Sequence, residues 1–130
     1  MPTGIETRLK ASRVLIVEDN VLIGMLFADV LLEMGHMVCA TVTTESDAVA
    51  AAAQHEPDLM IVDASIEEGS GVSAVEKILR FGFVPHIFVS GDISTVLDLR
   101  PDAIVVRKPF RDPELAYAIQ RALAISVDGS

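Results

Sequence analysis

Short apolar runs rich in Val and Ile alternate five times with stretches that carry helix signals. A run of this length that is apolar throughout reads as a strand buried on both faces. Strand-helix alternation predicts a parallel sheet with helices on both sides. Strands are expected at residues 13–17, 36–42, 58–63, 84–89 and 103–106. Asn20 is suited to cap a helix running to about Met34, with Gly35 as its stop. Thr44 and Asp47 form a variant capping box for an Ala-rich helix that ends before Pro57. A helix over 70–81 closes at Gly82. Asp112-Pro113-Glu114 reads as an N-cap, a proline at the first helical position and a dipole-matched acid, opening a last helix to about Ile125. Between Gly91 and Asp102 only residues 93–99 can be helical before Pro101. That helix is expected to be short, and either irregular and mobile or simply well packed.

Composition narrows the function classes. A chain of 130 residues suggests one domain, and a hydrophobic fraction of 51% supplies a core and excludes general disorder. The net charge is −9 and only ten Lys and Arg are spread along the chain, without the basic patch of a nucleic-acid binder. No apolar run approaches the roughly 18 residues of a membrane span, and residues 1–12 lack a signal-peptide core. The single Cys39 cannot form an internal disulfide, which fits a reducing compartment. The expectation is a cytoplasmic protein with no nucleic-acid or membrane partner. It has a lead-in at 1–12, a folded domain at 13–126 and a tail at 127–130.

The chemistry sits where strands end. The first ends in Glu18 and Asp19, the third in Asp63, the fourth in Ser90 and the fifth in Lys108. Parallel strands point these ends the same way, toward the carboxyl edge where open α/β folds keep their sites. Three converging carboxylates repel, and Mg²⁺ with hard oxygen ligands relieves this. A lysine and a hydroxyl beside the cation suit the other oxygens of a phosphoryl group. Asp63 is then the candidate nucleophile, forming an acyl phosphate. One strand-end acid alone more often only caps a helix; the ordered set is what points to a site.

These motifs resemble the receiver domains of two-component response regulators. The resemblance rests on Val14-Leu15-Ile16-Val17-Glu18-Asp19-Asn20, Leu59-Met60-Ile61-Val62-Asp63, Val89-Ser90-Gly91 and Lys108-Pro109-Phe110, and covers residues 13–125. It implies a flavodoxin-like, doubly wound five-stranded sheet of order 2-1-3-4-5. It implies that Asp63 accepts a phosphoryl group from a histidine kinase or histidine phosphotransfer protein. Glu18, Asp19, Asp63 and the backbone carbonyl of Ser65 would bind Mg²⁺. Lys108 would pair with the phosphate, Ser90 would couple it to conformational change, and Gly91 lies beside it. Such a domain is a phosphoacceptor rather than an enzyme, signalling through contacts with a downstream protein. The bond before Pro109 is a cis candidate.

The sequence departs from the family in three places. Val105 replaces the usual aromatic three positions before the lysine, so an aromatic switch cannot operate there. Glu67 stands where proline is common, and the stretch from Ser90 to Lys108 is a few residues short. The departures resemble a divergent group of single-domain receivers, some associated with atypical histidine kinases. Ordering of residues 91–102 is the alternative switch. Ser65 and Asp92 are candidates for tuning phosphate lifetime. Leu22 and Met25 fall on the solvent side of the first helix with Asp29 and Glu33, and with Phe110 they form a candidate docking patch; a second copy of the chain is a further candidate partner. The competing readings are a receiver-like module that takes no phosphate, and a haloacid-dehalogenase-type phosphotransferase. The latter wants a second acid where this chain has Ser65. Gly69 to Ala74 matches a dinucleotide fingerprint on paper, but it begins six positions after the strand's last residue, with five residues between.

Overall fold

The computed structural model describes residues 11–129. The expected lead-in therefore lies almost wholly outside the described residues. In chain order the elements are β1 (Arg13–Val17), α1 (Val21–Glu33), β2 (Met37–Val42), α2 (Glu45–His55), β3 (Leu59–Asp63), α3 (Gly71–Leu79), β4 (His86–Ser90), α4 (Ile93–Leu99), β5 (Val105–Arg107) and α5 (Asp112–Gly129). All strand pairs are parallel and the sheet order is β2-β1-β3-β4-β5. This is the doubly wound flavodoxin-like arrangement that the resemblance implied; the strand-helix alternation by itself required only a parallel sheet covered on both faces.

Alternation within the strands sorts the core into two layers. Val14, Ile16, Leu59, Ile61, Ile87 and Val89 face α1 and α5, meeting Phe27, Leu31, Leu115 and Ile119. Leu15, Val17, Met60, Val62 and Phe88 face the other way, onto Ala48, Ala51, Val75, Ile78 and Val96 of α2, α3 and α4. Both faces are covered, so β1, β3 and β4 are apolar at successive positions between their ends (Val14–Val17, Leu59–Val62, Ile87–Val89) rather than at every second one.

The helix starts follow local chemistry. Asn20 accepts the Ile23 N–H at 3.1 Å, Thr44 that of Asp47 at 3.1 Å and Ser70 that of Ser73 at 3.3 Å. Gly35 and Gly82 take positive φ (87° and 138°) behind α1 and α3, where a side chain would be strained. One cap is shifted. Arg111, not Asp112, precedes the first turn of α5: Glu114 returns its Oε1 to the Arg111 N–H at 2.9 Å, while Glu114 and Leu115 donate to the Arg111 carbonyl. This is the carboxylate half of a capping box, and it moves Pro113 one position into the helix, where no intrahelical bond is yet required. The helix also runs to Gly129, past the expected end near Ile125. The connection after β4 does hold a short helix: α4 is seven residues long and buries only Val96.

Candidate functional site

The site is built at the carboxyl edge where β1 and β3 lie side by side. From β1 the chain goes outward to β2, and β3 starts the other half of the sheet, so this is the switch point of the topology. Val17 is in register with Val62, which makes the next residues, Glu18 and Asp63, neighbours. The ladder runs one residue past the strands: Glu18 N–H donates to Val42 O, Ala64 N–H to Val89 O and Lys108 N–H to Ser90 O. Each functional side chain thus leaves from backbone already held by the sheet.

Lys108 Nζ lies 2.8 Å from Asp63 Oδ2 and 3.5 Å from Glu18 Oε1. Glu18 and Asp63 are nearly wholly buried (2% and 4% exposed). Carboxylate oxygens of Glu18, Asp19 and Asp63 all fall within 4.8 Å of one another. Burial pushes the Glu18 carboxyl up to about 7. The Asn20 N–H opposes this in part, and the neighbouring Asp63 adds to it. Burial alone would pull the Lys108 ammonium down, but its hydrogen bond to Asp63 and the charges of Asp63 and Glu18 raise it above its ordinary value.

Glu18 Oε2 accepts the Asn20 N–H at 3.1 Å, but the buried Oε1 has no hydrogen-bond partner. A buried carboxylate oxygen without a donor is costly, and a hard cation at the mouth of the three acids would satisfy it. The donor set, all carboxylate oxygen beside a lysine, fits Mg²⁺.

The β3–α3 loop is tied to the same acids. Asp63 Oδ1 accepts the Ser65 N–H at 2.9 Å, and Asp19 Oδ2 accepts the Glu67 N–H at 2.8 Å. Under this loop lies Gly71, buried at the start of α3. A Cβ there would stand 2.0 Å from the Asp63 carbonyl oxygen and 2.8 Å from Val62 Cγ1. The helix can seat against the end of β3 only because this position has no side chain.

The sequence-selected residues separate into those the fold assembles and those it spends elsewhere. Glu18, Asp19, Asp63 and Lys108 converge. Ser90 is buried on the adjacent strand, its Oγ donating to Asp92 O (3.1 Å) and accepting from Asp92 N (3.0 Å), so the hydroxyl is held by the start of the next loop. Gly91 is exposed with open space around it. The Lys108–Pro109 bond is cis. The Asp92 carboxylate caps α4, accepting from Ser94 Oγ, Thr95 Oγ1 and the Thr95 N–H, because three donors lie within the next turn. Phe110 is half-buried, its ring 5.4 Å from that of Phe27, so part of the expected docking surface packs the core instead. Leu22 and Met25 are exposed (71% and 58%). Sequence reading passed over Gly71 as a packing site, and passed over Glu45, which accepts from the Ser70 N–H and Ser73 Oγ and pairs with Lys77.

Residues 14–120 match the family described as the response regulator receiver domain. The chain is 31% identical to the chemotaxis protein CheY of Bacillus subtilis over 120 residues, covering 87% of this chain and 98% of that one. It is 32% identical over 117 residues to the phyllosphere-induced regulator PhyR of Methylorubrum extorquens, covering 87% of this chain but 44% of the regulator. The solution structure of the Erythrobacter litoralis PhyR receiver domain superposes with a TM-score of 0.83 at 34% identity, over 88% of this chain and 92% of that one. No helix among the described residues is long and apolar enough to cross a membrane.

Proposed function

The chain belongs to the response regulator receiver family of two-component systems, and from that premise we propose that Asp63 is its phosphoacceptor, served by Glu18, Asp19, Ser65, Ser90 and Lys108. One observation carries the proposal. A buried acid, Asp63, is paired with Lys108 at 2.8 Å beside a buried Glu18 oxygen that has no hydrogen-bond partner and only the same ammonium 3.5 Å away. A purely structural ion pair has no need of the second and third carboxylates.

Glu18, Asp19, Asp63 and the Ser65 carbonyl would hold Mg²⁺, which when bound supplies positive charge against the oxygens of the incoming phosphoryl group. The chain's own residues do the remainder. An Asp63 oxygen attacks phosphorus as the bond to the donor imidazole nitrogen breaks; the imidazole leaves with its electron pair and is reprotonated from solvent. In the resting arrangement both Asp63 oxygens are engaged, one by the Ser65 N–H and one by Lys108. Phosphorylation therefore transfers the Lys108 ammonium from Oδ2 to a phosphoryl oxygen, conserving one charged contact while releasing another. The Ser90 hydroxyl must leave the Asp92 backbone to reach that oxygen. This rearrangement frees the turn that starts α4, and it supports residues 91–102 as the switch in place of the missing aromatic at Val105.

The phosphoryl donor is a histidine kinase or histidine phosphotransfer protein, docking on the exposed Leu22 and Met25 of α1, with output through a protein contact. The test is treatment with acetyl phosphate and Mg²⁺, comparing wild type with Asp63→Asn by intact mass. A gain of one phosphoryl group in the wild type alone is expected. No gain in either protein, and no uptake of beryllofluoride by the folded wild type, would overturn the proposal in favour of a module that takes no phosphate.

A further inference from the structure

Residues 64–70 form the loop that must present the Ser65 backbone to the cation. Its apolar anchors are the buried Ile66 and the partly buried Ala64, while Ser65, Glu67, Glu68 and Gly69 are exposed. Two of its amides, those of Ser65 and Glu67, are held by Asp63 and Asp19. Those are the same carboxylates that would have to serve a cation, so the near end of the loop is tied to groups whose hydrogen bonds must be shared or surrendered on loading. Glu67 and Glu68 add negative charge to a loop that borders three other acids.

The far end is held differently. Glu45, the first residue of α2, accepts the Ser70 N–H on Oε1 at 2.9 Å and Ser73 Oγ on Oε2 at 2.7 Å. Its backbone N–H donates to the Glu68 carbonyl at 3.0 Å, and Thr44 bridges Glu68 in the same parallel sense. Lys77 Nζ lies 2.6 Å from Oε2 and fixes the rotamer from the other side. The stem of Glu45 lies directly against Gly69, whose φ is +92°: a Cβ at 69 would meet Glu45 Oε1 at 2.4 Å and Glu45 Cβ at 2.5 Å. A turn that only glycine accommodates, and a carboxylate that fills the space so left, form one clasp. Lys77, Ser73 and Ser70 together hold the Glu45 carboxyl down to about 2, so the clasp is ionised across the physiological range.

Resting on the proposed cation site above, we propose that Glu45 is a positioning residue for that site: it touches none of the ligands, but by clasping Glu68, Ser70 and Ser73 it holds the β3–α3 loop in place when Asp19 and Asp63 turn to the cation. Residues that orient ligands from behind typically change metal affinity by tenfold or more.

The test is a Mg²⁺ titration followed by the amide resonances of the ¹⁵N-labelled protein. It uses wild type, Glu45→Ala and Glu45→Gln, with amide exchange over residues 65–70 measured on the same samples. Glu45→Ala should bind Mg²⁺ roughly tenfold more weakly and lose protection at Ser70. Glu45→Gln keeps an acceptor for the Ser70 N–H and should recover most of the affinity. If Glu45→Ala does not fold, Glu45→Asp, which retains the charge but withdraws the carboxylate from Ser70, is read the same way. Wild-type affinity in a folded Glu45→Ala or Glu45→Asp protein overturns the inference and leaves the cation site standing. A wild type that shows no Mg²⁺ response at Asp19 and Asp63 overturns both.

Discussion

Replacing Gly71 with alanine sets two physical effects against each other. Alanine is the better helix former by up to about 1 kcal/mol, so propensity alone predicts a more stable protein. The structure predicts the reverse. The new Cβ would lie 2.0 Å from the Asp63 carbonyl oxygen and 2.9 Å from its carbonyl carbon. Both are backbone atoms in a strand paired on two sides, so neither can turn aside. Reaching even 3.0 Å from the oxygen requires a shift of 1.0 Å (3.0 less 2.0) between α3 and β3. If α3 retreats, the buried Val72, Ala74, Val75 and Ile78 lose close contact along one face, and gaps of that size forfeit a quarter to a half of the dispersion at each contact. Overpacking of this kind costs on the order of 3 kcal/mol, and the propensity gain offsets part of it, leaving a loss of about 2 kcal/mol. For a domain of this size that is a fall in Tm of roughly 6 °C. Urea unfolding followed by far-UV circular dichroism measures it. Gly91→Ala is the control, because a Cβ there meets nothing within 4 Å, and it should change stability by less than about 0.5 kcal/mol. The phosphorylation rate with acetyl phosphate should fall by at least tenfold in Gly71→Ala, since a retreat of α3 by about 1 Å carries with it the β3–α3 loop whose Ser65 N–H holds Asp63 Oδ1. A Gly71→Ala protein as stable as wild type, or more so, refutes the close-approach argument.

Leu22→Asp places a charge on the exposed face of α1; phosphotransfer from a cognate kinase should slow tenfold or more while acetyl phosphate labelling is unchanged, and equal kinase rates would remove the docking assignment. Burial holds the His86 imidazole below its ordinary pKa, with Arg100 adding to the effect and the Val84 carbonyl opposing it. The unfolded chain therefore binds a proton that the native state resists, so the contribution of His86 to stability should fall as pH drops below about 6.5, against the opposite slope of Glu18. His86→Gln should flatten that slope in urea midpoints taken between pH 7.5 and 5.5; an unchanged slope would show that another group carries it. Exchanging Ser65 for asparagine should alter the half-life of the phosphorylated protein several-fold, timed by intact mass, whereas Asp92→Ala, which removes the α4 cap, should cost about 1 kcal/mol of stability and leave that half-life near wild type. Amide protection over residues 91–102 should change on adding beryllofluoride, and identical protection would rule out that segment as the switch.

The layered fold and the converging acids were legible because both follow from local pattern. A strand covered on two faces must be apolar throughout, so Leu59–Asp63 announces itself and its first polar residue marks the sheet edge. In a parallel sheet all such edges coincide, which brings Glu18, Asp63 and Lys108 together without any knowledge of distance. Caps at Asn20 and Thr44 are equally local, a short side chain finding an amide three residues on. What remained hidden depends on choices among partners or on approaches between distant segments. Asp92 could have faced the site or its own helix, and the proximity of Ser94 and Thr95 decided it. Arg111 is no capping residue by type; the Glu114 side chain made it one. Phe110 could stand in solvent or on Phe27, and burial of apolar area favours Phe27. The need for glycine at 71 and the clasp of Glu45 around residues 68–73 arise from contacts across eight to twenty-eight positions of sequence. The pattern of buried and polar residues determined which groups meet at the sheet edge; only the three-dimensional packing determined what holds them there, because steric approach and hydrogen-bond competition are set by distances that no linear spacing encodes.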